Sequence, residues 1–161
     1  MRPKREAIRT NRYAYFVSTQ TANRQPFFRH ERWAQLMMGT LKRYVGSQFQ
    51  LHAYVVMPDH LHLLITPHEA VEKAIQLVKG GFSFRVAKEL DWKGEVWQKG
   101  FTDHRVRDAE DWEHHVEYIR LNPLRARIVE ESALYPYMEF PNSIFPQGLK
   151  PTDLGTDGCT G

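Results

Sequence analysis

Hydrophobic and polar positions along this chain fall into seven patterned blocks followed by a proline-punctuated end. Residues 12–21 (RYAYFVSTQT) mix aromatic, Val and Thr side chains and predict a first strand. Residues 31–48 place Trp33, Leu36, Met37, Leu41, Tyr44 and Val45 at helical spacing, the pattern of an amphipathic helix. Residues 49–57 and 60–66 are β-rich runs separated by Pro58-Asp59, which suits a tight turn, so together they predict a hairpin. Pro67 ends the second run because it cannot donate to a ladder. Residues 71–90 are helical in period, with Gly80-Gly81 predicting a break or two consecutive helices. Residues 95–107 (EVWQKGFTDHRVR) predict a strand or strand pair around Gly100. Residues 109–121 predict a helix with Asp108 as N-cap and Asp111 three residues on, and Pro123 disfavours helical geometry at Asn122.

Strands separated by helices, with one hairpin, predict an α+β fold. The expected form is a ferredoxin-like sandwich, a mainly antiparallel sheet with helices on one face. The body is expected to span residues 1–131. Residues 132–161 carry Pro136, Pro141, Pro146 and Pro151 before a Gly/Thr/Asp ending, so they predict a tail that wraps the body or is partly disordered.

Composition narrows the class. At 161 residues and 18.9 kDa, the chain has the length of one domain, and 42% apolar with 12% aromatic residues excludes a wholly disordered one. The apolar runs, Tyr54–Met57 and Leu63–Ile65 among them, fall far short of the ~20 residues of a membrane span. Arg2, Lys4 and Arg5 follow Met1 without an apolar stretch behind them, so no signal peptide is expected. Cys159 is the only thiol, which excludes an intrachain disulfide framework and makes a cytoplasmic location the expectation. The net charge of +3 is unevenly spread. Residues 1–50 hold ten Lys/Arg against Glu6 and Glu31, whereas residues 101–161 hold six against eleven acidic groups. A basic first third points weakly to a polyanionic partner.

The sharpest local chemistry is His60-Leu61-His62. In a strand, residues two apart share a face, so the two imidazoles lie side by side, with Leu61 and Leu63 on the other face. Two readings stand at this point: a platform for a divalent metal, or two polar residues marking a solvent face. Tyr118 and Asn122 lie four apart on the last predicted helix, hence one turn apart on one face, with His114 and Glu117 nearby. Tyr118 also fits a core stripe with Trp112, His115 and Ile119, and Asn122 also fits a helix stop.

Taken together, residues 53–67 (AYVVMPDHLHLLITP), 96–107 (VWQKGFTDHRVR) and 116–129 (VEYIRLNPLRARIV) resemble the single-tyrosine HUH transposases, and most closely the REP-associated tyrosine transposases. The resemblance covers about residues 10–130. It implies an HUH endonuclease type of fold, with His60, His62 and Asn122 as ligands of Mg²⁺ or Mn²⁺ and Tyr118 as nucleophile. Asp59 stands where many relatives carry Asn, and Arg127 where a small Gly is common.

The activity implied is a metal-dependent single-strand DNA endonuclease and strand-transferase. A bound cation polarises the phosphodiester, and tyrosine attack leaves a 5′-phosphotyrosine and a free 3′-OH. The implied substrate is single-stranded, hairpin-containing repetitive DNA. Candidate DNA contacts are Arg2, Lys4, Arg5, Arg9 and Arg12 in an N-terminal arm, and Lys79, Arg85, Lys99, Arg105 and Arg107 in the body. Tyr13, Tyr15, Phe28, Phe82, Phe84, Trp97 and Phe101 are candidate stacking platforms that equally fit a core. The absence of further thiols argues against tetrahedral structural zinc. A domesticated hairpin DNA-binding protein without catalysis and a water-using metal-dependent nuclease are the alternatives. A histidine-triad hydrolase requires another His at position 64, which is Leu. Relatives act either as monomers or as homodimers that exchange the tyrosine, and residues 132–150 are expected to modulate activity.

Overall fold

The computed structural model describes residues 13–146, so the basic arm from Arg2 to Arg12 and the residues after Pro146, Cys159 among them, lie outside the described residues. Aromatic, Val, Ser and Thr side chains form β1 (Tyr15–Gln20), and the amphipathic stretch after it forms α1 (Glu31–Tyr44). The two apolar runs about Pro58-Asp59 form β2 (Phe49–Met57) and β3 (His60–Pro67), which pair as a hairpin. Then follow α2 (Val71–Glu89), β4 (Thr102–Arg105), α3 (Ala109–Arg125) and the short β5 (Met138–Glu139). The strands make one antiparallel sheet in the order β4-β1-β3-β2-β5. No helix among the described residues is long and apolar enough to cross a membrane.

The α+β class and the antiparallel sheet match the expectation, but the helices do not share one face. Tyr15, Val17, Tyr54, Val56, Leu61, Leu63 and Ile65 pack with the buried sides of α1 and α2. The opposite face, with Ala53, Val55 and Leu64, packs against Trp112, Val116 and Ile119 of α3. The reason lies in β2 and β3, which are apolar at both parities. Such strands must be covered on both sides, as their almost unbroken burial shows. A register shift between Leu51 and Ala53 lets Leu51 and Tyr54, three apart, face the same layer.

Three other local expectations need correction. First, α2 runs unbroken through Gly80-Gly81. A Cβ on Gly81 would collide with the Tyr44 ring, so this glycine serves the close approach of α1 and α2. Second, α3 continues past Asn122 to Arg125 with Pro123 inside it. Proline removes one backbone donor, and the final turn is held by Ala126 N donating to the Asn122 carbonyl at 3.0 Å. The helix then closes with a Schellman arrangement: Arg127 N donates to Leu124 O and Ile128 N to Pro123 O, each at 3.0 Å. Arg127 occupies the left-handed position at φ +59°. Third, only Thr102–Arg105 of the 95–107 segment is a strand. The earlier part follows the end of β1 through Ala22 N to Val96 O and Gln98 N to Gln20 O, and Gly100 turns it at φ +84°.

After Glu131 the chain returns along α3 and β2. Tyr135 donates its hydroxyl to Val56 O, Val56 N donates to Tyr137 O at 2.8 Å, and β5 pairs with β2. Trp112, fully buried in α3, donates its indole N–H to Ser143 O at 2.8 Å. Asp108 caps α3 as expected, accepting from Asp111 N at 2.8 Å.

Candidate active site

Strand register assembles the site on the α3 face of the sheet. His62 stands opposite Ser18, His60 opposite Gln20, and Leu64 opposite Phe16, which in turn faces His104 of β4. Partners in an antiparallel register point to the same side, so Phe16, Ser18, His60, His62 and His104 share one surface beneath α3. His62 is only 6% exposed. The pair therefore does not mark a solvent face.

Each imidazole has its Nδ1 engaged. Nδ1 of His60 lies 2.7 Å from Asp59 Oδ1, and a carboxylate accepts, so Nδ1 carries the proton and the Nε2 lone pair is left over. His62 Nδ1 lies 2.6 Å from Ser18 Oγ, and with Nδ1–H donating to the hydroxyl its Nε2 is likewise left as a ligand atom. Metal-binding histidines are held in this way, with the second nitrogen oriented by a carboxylate or hydroxyl. Burial pushes the His62 pKa down to about 3, and the neighbouring His60 adds to the effect, so the ring is neutral near pH 7. Asp59 meets Arg24 on its other oxygen, with Nε donating to Oδ2 at 2.9 Å. Burial opposes its ionisation, but the bonds from His60 and Arg24 outweigh burial and hold its pKa below the usual value.

The last helix brings Tyr118 against His62. Its ring meets His62 edge-on with centroids 5.3 Å apart, and His60 and His62 are 4.7 Å apart. Phe16 wedges among them, stacked on His62 at 5.3 Å and edge-on to Tyr118 at 5.6 Å. Arg125 lies 5.8 Å from the Tyr118 ring centroid. Asn122, one turn beyond Tyr118, is buried. The nucleophile candidate and the two histidines thus meet within one chain. Imidazole nitrogen and amide oxygen are donor types that suit a divalent cation whose other positions are taken by substrate oxygens and water.

A cleft of about 340 Å³ opens beside Ser18, lined by Gln20, Lys99, Phe101 and Thr102 among others. Of the body cations, Lys99 is at this cleft, and Lys79 donates to Gln98 O and Gly100 O at 2.9 and 2.8 Å, bracing its rim. Arg107 is exposed beside the start of α3. Arg85 lies in the α1/α2 layer, donating to Glu89 and to Thr40 Oγ1, and Arg105 sits over the Tyr13 ring at the sheet edge. Neither of these two is at the histidine pair. Tyr13, Tyr15, Phe28 and Phe82 are buried core residues, Trp97 and Phe101 are partly buried, and Phe84 is 66% exposed on α2. Sequence reasoning missed Phe16, Ser18 and Arg125. Period-two alternation in β1 signals that Phe16 and Ser18 share a face, but only the β1–β3 pairing shows which face.

Known proteins place the chain independently. A REP-associated tyrosine transposase of Escherichia coli (strain K12) is 25% identical over 146 residues, covering 89% of this chain and 85% of the relative. A solved REP-associated tyrosine transposase, bound to a REP hairpin, superposes with a TM-score of 0.72 at 23% identity, covering 91% of this chain and 88% of that one. The family model described as "Transposase IS200 like" matches residues 10–122, which takes in the whole sheet apart from β5 and all but the last turn of α3. The chain belongs to the IS200-like transposase family, enzymes that act on DNA.

Proposed function

We propose that this protein nicks and rejoins single-stranded DNA next to hairpins of repetitive sequence, through a covalent bond to Tyr118. The observation that carries the reading is the pair of Nδ1-anchored histidines, His60 beside His62, with the Tyr118 ring edge-on to His62. The Tyr118 hydroxyl gives its proton to solvent and its oxygen attacks phosphorus, the P–O3′ bond breaks, and the departing 3′ oxygen takes up a proton from solvent. The products are a 5′-phosphotyrosine and a free 3′-OH. Attack by a 3′-OH reverses the step and rejoins strands without ATP. His60, His62 and Asn122 would hold Mg²⁺ or Mn²⁺, which would supply Lewis acidity for the phosphoryl charge. Asp59 and Ser18 orient the imidazoles, and Phe16 holds the His62 and Tyr118 rings in register. Lys99 and the cleft beside Ser18 receive the nucleotides flanking the scissile phosphate. The hairpin preference is supported by the relatives named for, or bound to, REP elements. Assembly of Tyr118 and both histidines within one chain supports cleavage by a monomer.

The test is incubation with a labelled hairpin-bearing oligonucleotide and Mg²⁺ or Mn²⁺, followed by a denaturing gel. A covalent adduct present in the wild type and absent in Tyr118→Phe is the expected result. Cleaved product without adduct indicates a water-using nuclease. Binding with neither product nor adduct indicates a DNA-binding protein without catalysis.

A further inference from the structure

A second cluster of ligating groups lies on the other side of Phe16. This ring stacks on His115 with centroids 4.5 Å apart while its neighbour His62 lies at 5.3 Å. Asp111 and His115, four apart in the first half of α3, share one helix face, and His104 reaches them from β4. Ligand atoms of His104, Asp111 and His115 all lie within 4.8 Å of one another. His104 Nε2 is 2.8 Å from Asp111 Oδ2, and His115 Nε2 is 3.2 Å from Asp111 Oδ1.

The geometry is incomplete in one informative respect. His115 Nε2 is buried and has no aligned hydrogen-bond partner, despite its closeness to Asp111. It is the one buried side-chain polar atom among the described residues in that condition. A buried imidazole nitrogen facing a carboxylate and a second imidazole, without an aligned hydrogen bond, is disposed to act as a metal ligand beside them. The carboxylate is further fixed by Arg107 N, which donates to Asp111 Oδ2 at 3.0 Å, the kind of outer support that metal carboxylates carry.

We infer that His104, Asp111 and His115 form a binding site for a transition-metal ion of the zinc type, separate from the histidine pair under Tyr118. Two imidazoles and one carboxylate suit Zn²⁺ with a water in the fourth position. His104 coordinates through Nε2 in its Nδ1–H tautomer, and His115 does the same. The thiol count does not oppose this site, since the set needs no cysteine. A bound ion ties the edge strand β4 to α3 one helical turn before Tyr118, and so fixes the position of the nucleophile's helix.

The experiment uses the full chain with Co²⁺ as a spectroscopic probe and Zn²⁺ as competitor. The His60→Ala/His62→Ala chain removes the proposed catalytic ligands and isolates the second cluster. The expected result is the visible absorption of four-coordinate Co²⁺ in this chain, bleached by Zn²⁺. Adding His104→Ala and His115→Ala is expected to abolish it, with far-UV circular dichroism confirming the fold. Should that chain fail to fold, His104→Ala alone, at a position 38% exposed, is expected to weaken binding by at least about tenfold. Absence of the absorption in the His60→Ala/His62→Ala chain overturns the inference. Absorption that survives loss of His104 and His115 overturns it as well. Neither outcome bears on adduct formation by Tyr118.

Discussion

Asp59 decides how His60 presents itself, and its replacement separates orientation from charge. The carboxylate accepts from His60 Nδ1 at 2.7 Å and from Arg24 at 2.9 Å. Asp59→Ala removes the acceptor, so His60 is free to protonate Nε2 and to rotate. Loss of such an outer partner costs about 10–100-fold in metal affinity, or about 1.4–2.8 kcal/mol. Asp59→Asn keeps an oxygen at the same place but loses the negative charge. Its ion pair with Arg24 is largely solvent-screened and contributes under about 1 kcal/mol. The expected order is therefore a Mn²⁺ half-saturation raised by about 10–100-fold in Asp59→Ala and by less than about tenfold in Asp59→Asn, with the rate at saturating Mn²⁺ nearly kept in both. The assay is adduct formation on a hairpin oligonucleotide across a Mn²⁺ titration, with urea unfolding as a control for stability. Equal effects of the two substitutions refute the orienting role. So does a fall in saturating rate with no movement of the metal midpoint.

Two further outcomes follow from local geometry. Arg127 holds the left-handed position of a Schellman motif, where a Cβ costs about 1–2 kcal/mol, partly offset by the backbone entropy of glycine. Arg127→Gly is expected to stabilise by about 0.5–1 kcal/mol in chemical denaturation while Arg127→Ala leaves stability unchanged; equal behaviour of both variants refutes the strain. His52, buried in the β2 irregularity, donates Nδ1–H to Asn142 O at 3.0 Å, and its Nε2 lies 2.7 Å from Thr66 Oγ1. Burial outweighs the Asn142 bond and pushes its pKa from 6.5 down to about 4. The unfolded chain thus takes up the proton first on acidification. The stabilisation is complete above about pH 6.5 and is lost progressively down to about pH 4, at most about 3 kcal/mol. Urea unfolding at a series of pH values checks it, and a slope that His52→Gln leaves unaltered refutes it.

The hairpin around Pro58-Asp59 was legible because apolar runs and a turn dipeptide agree there, and strand parity alone set His60 and His62 side by side. The spacing of Tyr118 and Asn122 likewise showed their shared helix face. What did not show was pairing at a distance. Nothing in residues 15–20 tells that Ser18 stands opposite His62, or that Phe16 separates two histidine clusters. Gly81 misled for a related reason, because its lack of a side chain answers to Tyr44 of another helix rather than to its own backbone. Pro123 misled because a proline bars one hydrogen bond, and a helix nearing its end loses little by that. The double-sided burial of β2 and β3 was present in their composition and was outweighed by the expectation of a one-sided sheet.

The return of residues 132–146 along β2 and α3 sets an order in which the molecule is completed. Chains emerge from the ribosome N-terminus first, and the layer of β1, β2, β3, α1 and α2 has all its strands and helices by Glu89. The layer that carries Tyr118 does not. Trp112 waits for Ser143, and the outer edge of β2 waits for β5. A nascent chain therefore presents its histidine pair well before the tyrosine helix is clamped above it. A message cut short after α3 yields a chain that carries every proposed catalytic residue without the clasp formed by Ser143 and β5.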